Sequence, residues 1–162
     1  MTAREVVAFW RDAGAGKWFN GGAGFDAECR TRFLDAHFEA ARRELDGWIG
    51  DAEGALALVL LLDQIPRNVF RGSAHAFATD GLAREVARAA IDAGFDARID
   101  APLRLFFYMP FEHAEDMADQ ERAVALIAAM GDAGSPAVPS TPASATWTTS
   151  AHGPRGRPTP TT

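Results

Sequence analysis

The chain has 162 residues, of which 48% are hydrophobic and 23% charged. It is long enough for one domain with a hydrophobic core and too short for two ordinary ones. The net charge of −6 argues against a nucleic-acid-binding surface, and the single cysteine, Cys29, excludes a disulfide framework.

The location of the protein follows from what the sequence lacks. The first ten residues, MTAREVVAFW, contain no cationic region followed by a long apolar stretch, so they do not form a signal peptide. The longest apolar run, from Ala55 to Leu62, is far short of the ~20 residues that span a bilayer. We therefore expect a cytoplasmic protein that binds neither nucleic acid nor membrane.

The first two helices are marked by their end signals. Thr2 and Glu5 have the spacing of a capping box, which predicts a helix start at the N-terminus. Gly14 and Gly16 predict its end. After a glycine-rich loop, Asp26 is expected to be the N-cap of a second helix.

A third helix is expected at the centre of the fold. Asp51 precedes the segment ALALVLLLDQI, which is apolar nearly all round and is therefore typical of a helix buried on several sides. Pro66 is expected to disrupt or stop it. Residues 67–80 read as a loop with a possible short turn, and Asp80 reads as the N-cap of a fourth helix that Gly94 closes.

Two further helices follow. Asp100 and Pro102 open a short apolar helix, which Pro110 is expected to break, and a last helix is predicted from about Glu112 to Met130. No segment shows the alternation typical of a strand. The sequence therefore predicts an all-α fold.

The composition changes abruptly after Gly131. Of the 31 residues that follow, 25 are Ala, Gly, Pro, Ser or Thr. Such a segment buries too little apolar surface to offset about 1–2 kcal/mol of backbone entropy per residue. We expect a helical domain over residues 1–131 and a disordered, low-complexity tail over residues 132–162.

Three segments of this sequence resemble a known bacterial family. The segments LALVLLLDQIPRNVFRG, AFATD and LFFYMPFEHAEDMADQERAVAL resemble domain of unknown function family 924, which is placed in the tetratricopeptide-like helical superfamily. The resemblance covers roughly residues 3–131. It implies an antiparallel, tetratricopeptide-like helical array around the central buried helix, and it brings no established activity.

The resemblance stops where the tail begins. Members of the family continue with further helical sequence that includes a basic segment resembling RFGRFPHRN, and nothing after Gly131 matches it. We therefore predict that the chain is C-terminally truncated, with residues from about Asp132 onward produced by a shifted reading frame. The competing interpretation is a genuine disordered extension.

A first polar cluster lies at the exit of the buried helix. It comprises Asp63, Gln64, Arg67, Asn68 and Arg71. The two arginines are suited to gripping a carboxylate or phosphate. The structural alternative is that Arg67 pairs with Asp63 one helical turn away and that both arginines bond free carbonyls near the helix end.

A second polar cluster lies at the predicted start of the last helix. It comprises Glu112, His113, Glu115, Asp116 and, one turn on, Gln120. A histidine beside carboxylates is suited to acid–base chemistry, and on a helix Glu112 and Asp116 would share a face. No second histidine stands at ligand spacing, so we predict no metal, and no cofactor motif is present. The structural alternative is that these acids stabilise the helix dipole.

The remaining candidates are expected to be structural. Cys29 is read as a small core residue, His37 as a core or boundary histidine, and His75 as a loop side chain.

These clusters lead to two functional hypotheses. One is a tetratricopeptide-like scaffold whose polar groups bind a small molecule or a peptide. The alternative is a small-molecule enzyme in which Glu112, His113 and Asp116 are acid–base groups and the arginines form an anion clamp. In either case we expect the clusters to converge, with Arg67 or Arg71 within salt-bridge reach of the second cluster's carboxylates.

Overall fold

The computed structural model describes residues 1–131, and within that range the chain is helical and contains no strand. The α-helices are α1 Ala3–Asn20, α2 Gly22–Ala41, α3 Ala52–Val59, α4 Ile65–Val69, α5 Asp80–Asp92, α6 Ala101–Glu112 and α7 Met117–Gly131. A π-helical turn, Leu60–Gln64, joins α3 to α4, and 3-10 turns lie at Asp46–Gly50, Ala74–Phe77 and Asp96–Arg98. The all-α class is confirmed. The predicted tail over residues 132–162 lies outside the described residues.

The first helix begins as predicted but ends later. Thr2 N donates to Glu5 Oε2 at 2.6 Å and Thr2 Oγ1 accepts from Glu5 N at 3.3 Å, which is a capping box. Gly14, with φ of +71°, kinks α1 without ending it. Asp26 lies inside α2 and is not its cap, so that prediction is wrong.

The central helix is confirmed. Every residue from 54 to 66 is buried, and α1, α5 and α6 pack against α3 while α2 packs against the π-helical turn. Asp51 Oδ1 accepts from Gly54 N at 2.9 Å, which is the predicted cap. The apolar run is buried on all sides because helices surround it.

Gly54 allows the 3-10 turn Asp46–Gly50 to lie directly on α3. A Cβ atom at position 54 would collide with the backbone carbonyl of Trp48. The contact is with backbone, which has little freedom to move away. Only glycine fits at this crossing.

Pro66 widens the buried helix instead of ending it. The N–H of Ile65 bonds to the carbonyl of Leu60, five residues back, and this opens the helix into the π-helical turn just before the proline. Proline has no N–H, and its ring crowds the carbonyl four residues back, so the wider turn relieves that crowding. The chain then continues as α4, and Arg67 and Asn68 lie on a helix and not in the predicted loop.

The predicted break at Pro110 is also wrong. Pro110 lies inside α6, which runs on to Glu112, and α7 begins at Met117. Residues 113–116 form the turn between these helices. Within residues 1–131, no helix combines the length and the apolar composition required to cross a bilayer.

The last described helix is only partly covered. α7 packs on α6, with Ala123 and Met130 buried. Met117 and Val124 are exposed.

Candidate functional site

The backbone carbonyls of the π-helical turn accept hydrogen bonds from side chains. Four consecutive carbonyls, from Leu61 to Gln64, each accept a side-chain hydrogen bond. The donors are His37 Nδ1 to Leu61 O at 2.8 Å, Thr79 Oγ1 to Leu62 O at 2.6 Å, Arg67 Nη1 to Asp63 O at 2.7 Å, and Asn68 Nδ2 to Gln64 O at 3.1 Å. Buried carbonyls need such partners. The turn is therefore held open by residues from several elements.

Asp63 is the centre of a buried polar network. Its side chain is 0% exposed, and Oδ1 accepts from Arg67 Nη1 at 3.2 Å and from His113 Nδ1 at 3.0 Å. Oδ2 accepts from Gln64 Nε2 at 2.7 Å. Arg67 also makes a two-pronged ion pair with Asp80, at 2.9 and 3.0 Å. A buried carboxylate is stable in this position because each oxygen has a partner.

His113 links this network to the surface. It is the C-cap of α6, its side chain is 24% exposed, and its Nδ1 donates to the Asp63 carboxylate. With Nδ1 engaged by the carboxylate, Nε2 is the ring nitrogen left for another partner. Asp63 thus fixes both the tautomer and the orientation of the imidazole.

The exposed edge of His113 borders an open cleft of about 450 Å³, which we call the His113 cleft. It is lined by Phe77, Asp80, Gly81, Arg84, His113, Ala114, Glu115, Asp116 and Asp119. Phe77 is 60% exposed, and the guanidinium of Arg67 lies 5.3 Å from its ring centroid. The cleft therefore combines one base, one exposed aromatic ring and mainly acidic walls.

A second open cleft of about 600 Å³, which we call the Gln64 cleft, lies beside α4. It is lined by Trp18, Phe19, Asn20, Gly21, Gly22, Ala23, Asp26, Gln64, Arg67, Asn68 and Arg71. Gln64 and Asn68 are only 6% and 7% exposed and form its most buried part.

Arg71 stands at the side of the Gln64 cleft, held by Asp26. Its Nε and Nη2 donate to the Asp26 carboxylate at 2.6 and 2.9 Å. These hydrogen bonds raise the pKa of the Arg71 guanidinium above its ordinary value. Asp26, read from the sequence as a helix cap, is in fact the partner of this arginine.

The two predicted clusters are adjacent, but the predicted ion pairs are not those that form. His113 reaches Asp63, which joins the clusters. Arg67 pairs with Asp63 and Asp80, and Arg71 pairs with Asp26. The expectation that either arginine would contact Glu112, Glu115 or Asp116 is wrong, because both guanidiniums are already satisfied nearer to α4.

The acidic members of the second cluster do not share one helical face. Glu112 is the exposed last residue of α6. Asp116 Oδ1 accepts from Asp119 N at 3.1 Å at the start of α7, and Gln120 Nε2 donates to Ala114 O at 2.6 Å. Their contacts shape the turn between α6 and α7, while Glu115 and Asp116 also line the His113 cleft.

Several lining residues were not singled out as site residues from the sequence. Arg84, on α5, lines the His113 cleft and has no carboxylate partner among residues 1–131. It sits among other charges on an amphipathic helix, and nothing in the local sequence distinguishes it. Trp18 and Phe19 line the Gln64 cleft, although aromatic residues at such positions are more often core. Within the described part of the chain, no three His, Cys, Asp or Glu side chains form a group able to hold a metal.

The comparison with family models identifies one family. Residues 6–151 match the family described as "Bacterial protein of unknown function (DUF924)". A similar solved structure is that of a protein of unknown function, ATU0120, from Agrobacterium tumefaciens, which is 56% identical, with 80% of this chain and 73% of that chain covered at a TM-score of 0.78. A search of curated proteins found no match. The family match continues past Gly131 into residues that the structure does not describe.

Proposed function

The chain belongs to the DUF924 family of bacterial proteins of unknown function, and we propose that its helical domain is a tetratricopeptide-like binding scaffold whose ligand occupies the Gln64 cleft. The ligand is a small molecule in preference to a peptide. The proposed setting is the cytoplasm, which suits the single cysteine and the acidic charge.

One observation carries this proposal: a hydrogen-bond acceptor on a largely buried side chain of the cleft has no donor among the described residues. The Gln64 side chain is 6% exposed, and its Nε2 is engaged by Asp63 at 2.7 Å. Its Oε1 accepts no hydrogen bond from residues 1–131. A bound ligand can donate a hydrogen bond to this oxygen, and such a bond contributes about 0.5–1.5 kcal/mol.

The size of the cleft favours a small molecule over a peptide. Its volume of about 600 Å³ falls within the range of roughly 300–1,000 Å³ that is usual for small-molecule sites. Trp18 and Phe19 provide aromatic surface, and the cleft also has polar groups that can orient a ligand, on Asn20, Asp26, Gln64, Arg67, Asn68 and Arg71.

A thermal-shift screen tests the proposal. A ligand that binds only the folded state raises the melting temperature, so we expect hits from a metabolite library to stabilise the protein. These shifts should be lost in Gln64→Met and Phe19→Ala and retained in Phe77→Ala, an equally exposed aromatic outside the cleft. Hits that bind all three variants equally would contradict the proposal.

A second candidate function is acid–base catalysis in the His113 cleft. The observation that favours it is the contact between the buried Asp63 carboxylate and His113 Nδ1 at 3.0 Å, which leaves Nε2 of this partly exposed side chain for another partner. In this hypothesis His113 transfers the proton, Asp63 positions the ring, and Arg84 is the free cation for an anionic substrate. Glu112 and Asp116 take no part, because one is exposed at the end of α6 and the other caps α7.

A panel of chromogenic esters and phosphates tests this candidate. General acid–base catalysis contributes about 10²–10⁴-fold, so His113→Gln should reduce any true turnover by that factor. Glu112→Gln, the neighbouring exposed carboxylate, should leave it unchanged. If His113→Gln and the wild type turn over the panel equally, His113 is not an acid–base catalyst for these reactions.

A further inference from the structure

We propose that His37, on α2, and His75, on the 3-10 turn Ala74–Phe77, form a two-ligand site for the soft monovalent ion Cu(I). The site is independent of the function proposed above, because neither histidine lines the Gln64 cleft. Three features carry it: a buried imidazole nitrogen without a partner, a second imidazole at a matching distance, and two aromatic rings around the pair. The expectation of no metal rested on ligand spacing along the chain, which two residues on separate elements do not show.

His37 presents a nitrogen lone pair that no described residue uses. Its Nδ1 lies 2.8 Å from Leu61 O, and since a carbonyl only accepts hydrogen bonds, Nδ1 carries the proton. Nε2 is then the acceptor of the neutral ring, and it is buried without a partner among residues 1–131. Burial lowers the pKa of His37, so the lone pair is available at neutral pH. Metal-binding histidines have this arrangement, with one ring N–H on a carbonyl and the other nitrogen on the ion.

His75 supplies the second imidazole. The ring centroids of His37 and His75 are 5.8 Å apart, and the ring planes lie at 77° to each other. With metal–nitrogen bonds of about 2 Å, the usual length for imidazole, two rings on opposite sides of one ion have centres roughly 6 Å apart. Coordination in line does not restrict the angle between the ring planes. The His75 side chain is exposed and makes no hydrogen bond to residues 1–131, so it can turn a nitrogen toward His37.

The number of ligands selects the ion. Within residues 1–131, no third His, Cys, Asp or Glu joins these two in a group able to hold a metal. Zinc takes at least three protein ligands, whereas Cu(I), an ion of a metal that imidazole suits, is stable with two ligands in line. The guanidinium of Arg30 lies 5.7 Å from the ring centroid of Phe70, and its charge repels a divalent ion twice as strongly as a monovalent one.

Phe38 and Phe70 enclose the pair of histidines. The Phe38 ring centroid lies 5.2 Å from that of His37 and 5.8 Å from that of His75. The corresponding distances from Phe70 are 5.7 and 4.1 Å. Aromatic faces attract a cation, and an apolar surrounding limits the access of water to a metal. Cu(II) prefers a square-planar set of nitrogen and oxygen ligands, which these rings do not provide, so the reduced ion is favoured.

Competition with a chromogenic chelator tests the site. The full chain is titrated anaerobically with Cu(I) and bicinchoninate in the presence of ascorbate, and we expect the wild type to withdraw one Cu(I) per chain from the chelator. His75→Phe keeps an aromatic ring in the cluster, and His37→Asn keeps a donor for the Leu61 carbonyl. Each should weaken Cu(I) binding at least about 100-fold, because the loss of even an outer partner of a metal ligand costs about 10–100-fold.

His113→Gln and His152→Gln are the matched controls, since these are the other two histidines of the chain. Both should bind Cu(I) as the wild type does, and an equal concentration of Zn(II) should displace none of it. Circular dichroism melts show which variants remain folded, and His75→Phe, a change at an exposed position, decides the test if His37→Asn does not fold.

Three results would overturn the proposal. The first is a wild type that withdraws no Cu(I) from the chelator. The second is binding that persists in His75→Phe or depends on His113 or His152, which would mean an adventitious ion only. The third is displacement by Zn(II), which would show a site with more ligands than these two histidines.

Discussion

His37 lies fully inside the core because a backbone carbonyl there needs a donor. Its Nδ1 donates to Leu61 O at 2.8 Å, and its Nε2 is buried without a partner among the described residues. Burial lowers the pKa of His37 below its ordinary value, and the nearby His75, whose ring centroid is 5.8 Å away, lowers it further, whereas the bond to Leu61 opposes these effects. His37 is therefore neutral in the folded protein at neutral pH.

This burial predicts how stability depends on pH. In the unfolded chain His37 titrates near pH ~6.5, whereas the folded state takes up the proton only at lower pH. Well above pH ~6.5, His37 is neutral in both the folded and the unfolded state. As the pH falls below it, the unfolded state binds more protons and the free energy of unfolding decreases.

Urea denaturation of the wild type and of His37→Asn between pH 8 and 5 measures the effect. Asparagine keeps an N–H donor for the Leu61 carbonyl but does not titrate. Below about pH 6.5, the unfolding free energy of the wild type should decrease more than that of the His37→Asn variant. Parallel pH profiles would show that His37 is not the group responsible.

At the scale of single residues, the sequence identified which side chains have site chemistry but not how they pair. Arg67 and Asp63 are four residues apart on a helical stretch, so their ion pair was a foreseeable alternative. His113 and Asp63 are 50 residues apart, and their contact depends on where α6 ends relative to the π-helical turn. No local sequence pattern predicts a contact between two residues so far apart in the chain.

Thr79 compensates for the N–H group that Pro66 lacks. In a regular helix the N–H of residue 66 would bond to the carbonyl of Leu62, and here Thr79 Oγ1 supplies that bond at 2.6 Å. Thr79→Val should cost about 1–3 kcal/mol, because it leaves a buried carbonyl without a donor. In a Pro66→Ala background the cost should be smaller, since the backbone can then supply the bond.

A double-mutant cycle by urea denaturation measures this coupling. An interaction energy of at least about 0.5 kcal/mol is expected for groups that share a partner. Strict additivity would mean that the hydroxyl and the missing N–H do not serve the same carbonyl.

The crossing of the 3-10 turn Asp46–Gly50 over α3 gives a second prediction for an element. Gly54→Ala should destabilise the protein by about 1–3 kcal/mol, because the added methyl group meets the Trp48 backbone. Gly24→Ala is the control, since it lies on α2 with open space around it and should stabilise by about 0.5–1 kcal/mol. Chemical denaturation measures the unfolding free energy of both variants. A Gly54→Ala variant as stable as the wild type would show that the turn moves freely.

Helix boundaries at prolines were the elements that sequence reasoning placed least well. The buried helix itself could be predicted, because a helix that is apolar on all sides is stable only when it is buried. Pro66 was expected to disrupt or stop its helix, and it disrupts the helix through the π-helical turn without stopping it. Pro110 was expected to break its helix, yet it lies inside α6. Tertiary packing on α3 and α6, together with side-chain donors such as Thr79, offsets the local cost, and a proline pattern contains no information about such partners.

For the molecule as a whole, the uncovered face of α7 bears on the frameshift prediction. Met117 and Val124 are exposed on this helix, and a further helical segment would bury them. We expect the gene to contain, downstream of the Gly131 codon, an alternative frame that encodes a segment resembling RFGRFPHRN. The family match runs to residue 151, past the Gly131 boundary expected for the resemblance, and this counts against a change of frame as early as residue 132. DNA sequencing must locate any change of frame. If no frame encodes such a segment, the prediction is wrong.

The buried thiol of Cys29 can report the detachment of α2 from the core without an added probe. Cys29 is 0% exposed and is the only cysteine, and burial, with smaller effects of Asp26 and Glu28, raises the pKa of its thiol to about 12. Because the thiolate is the reactive form, a disulfide reagent such as Ellman's can modify it only after α2 detaches from the core. Labelling rates over a urea series would therefore give the opening free energy of α2 without any introduced probe, and rapid labelling of the native protein would show that this helix opens on its own.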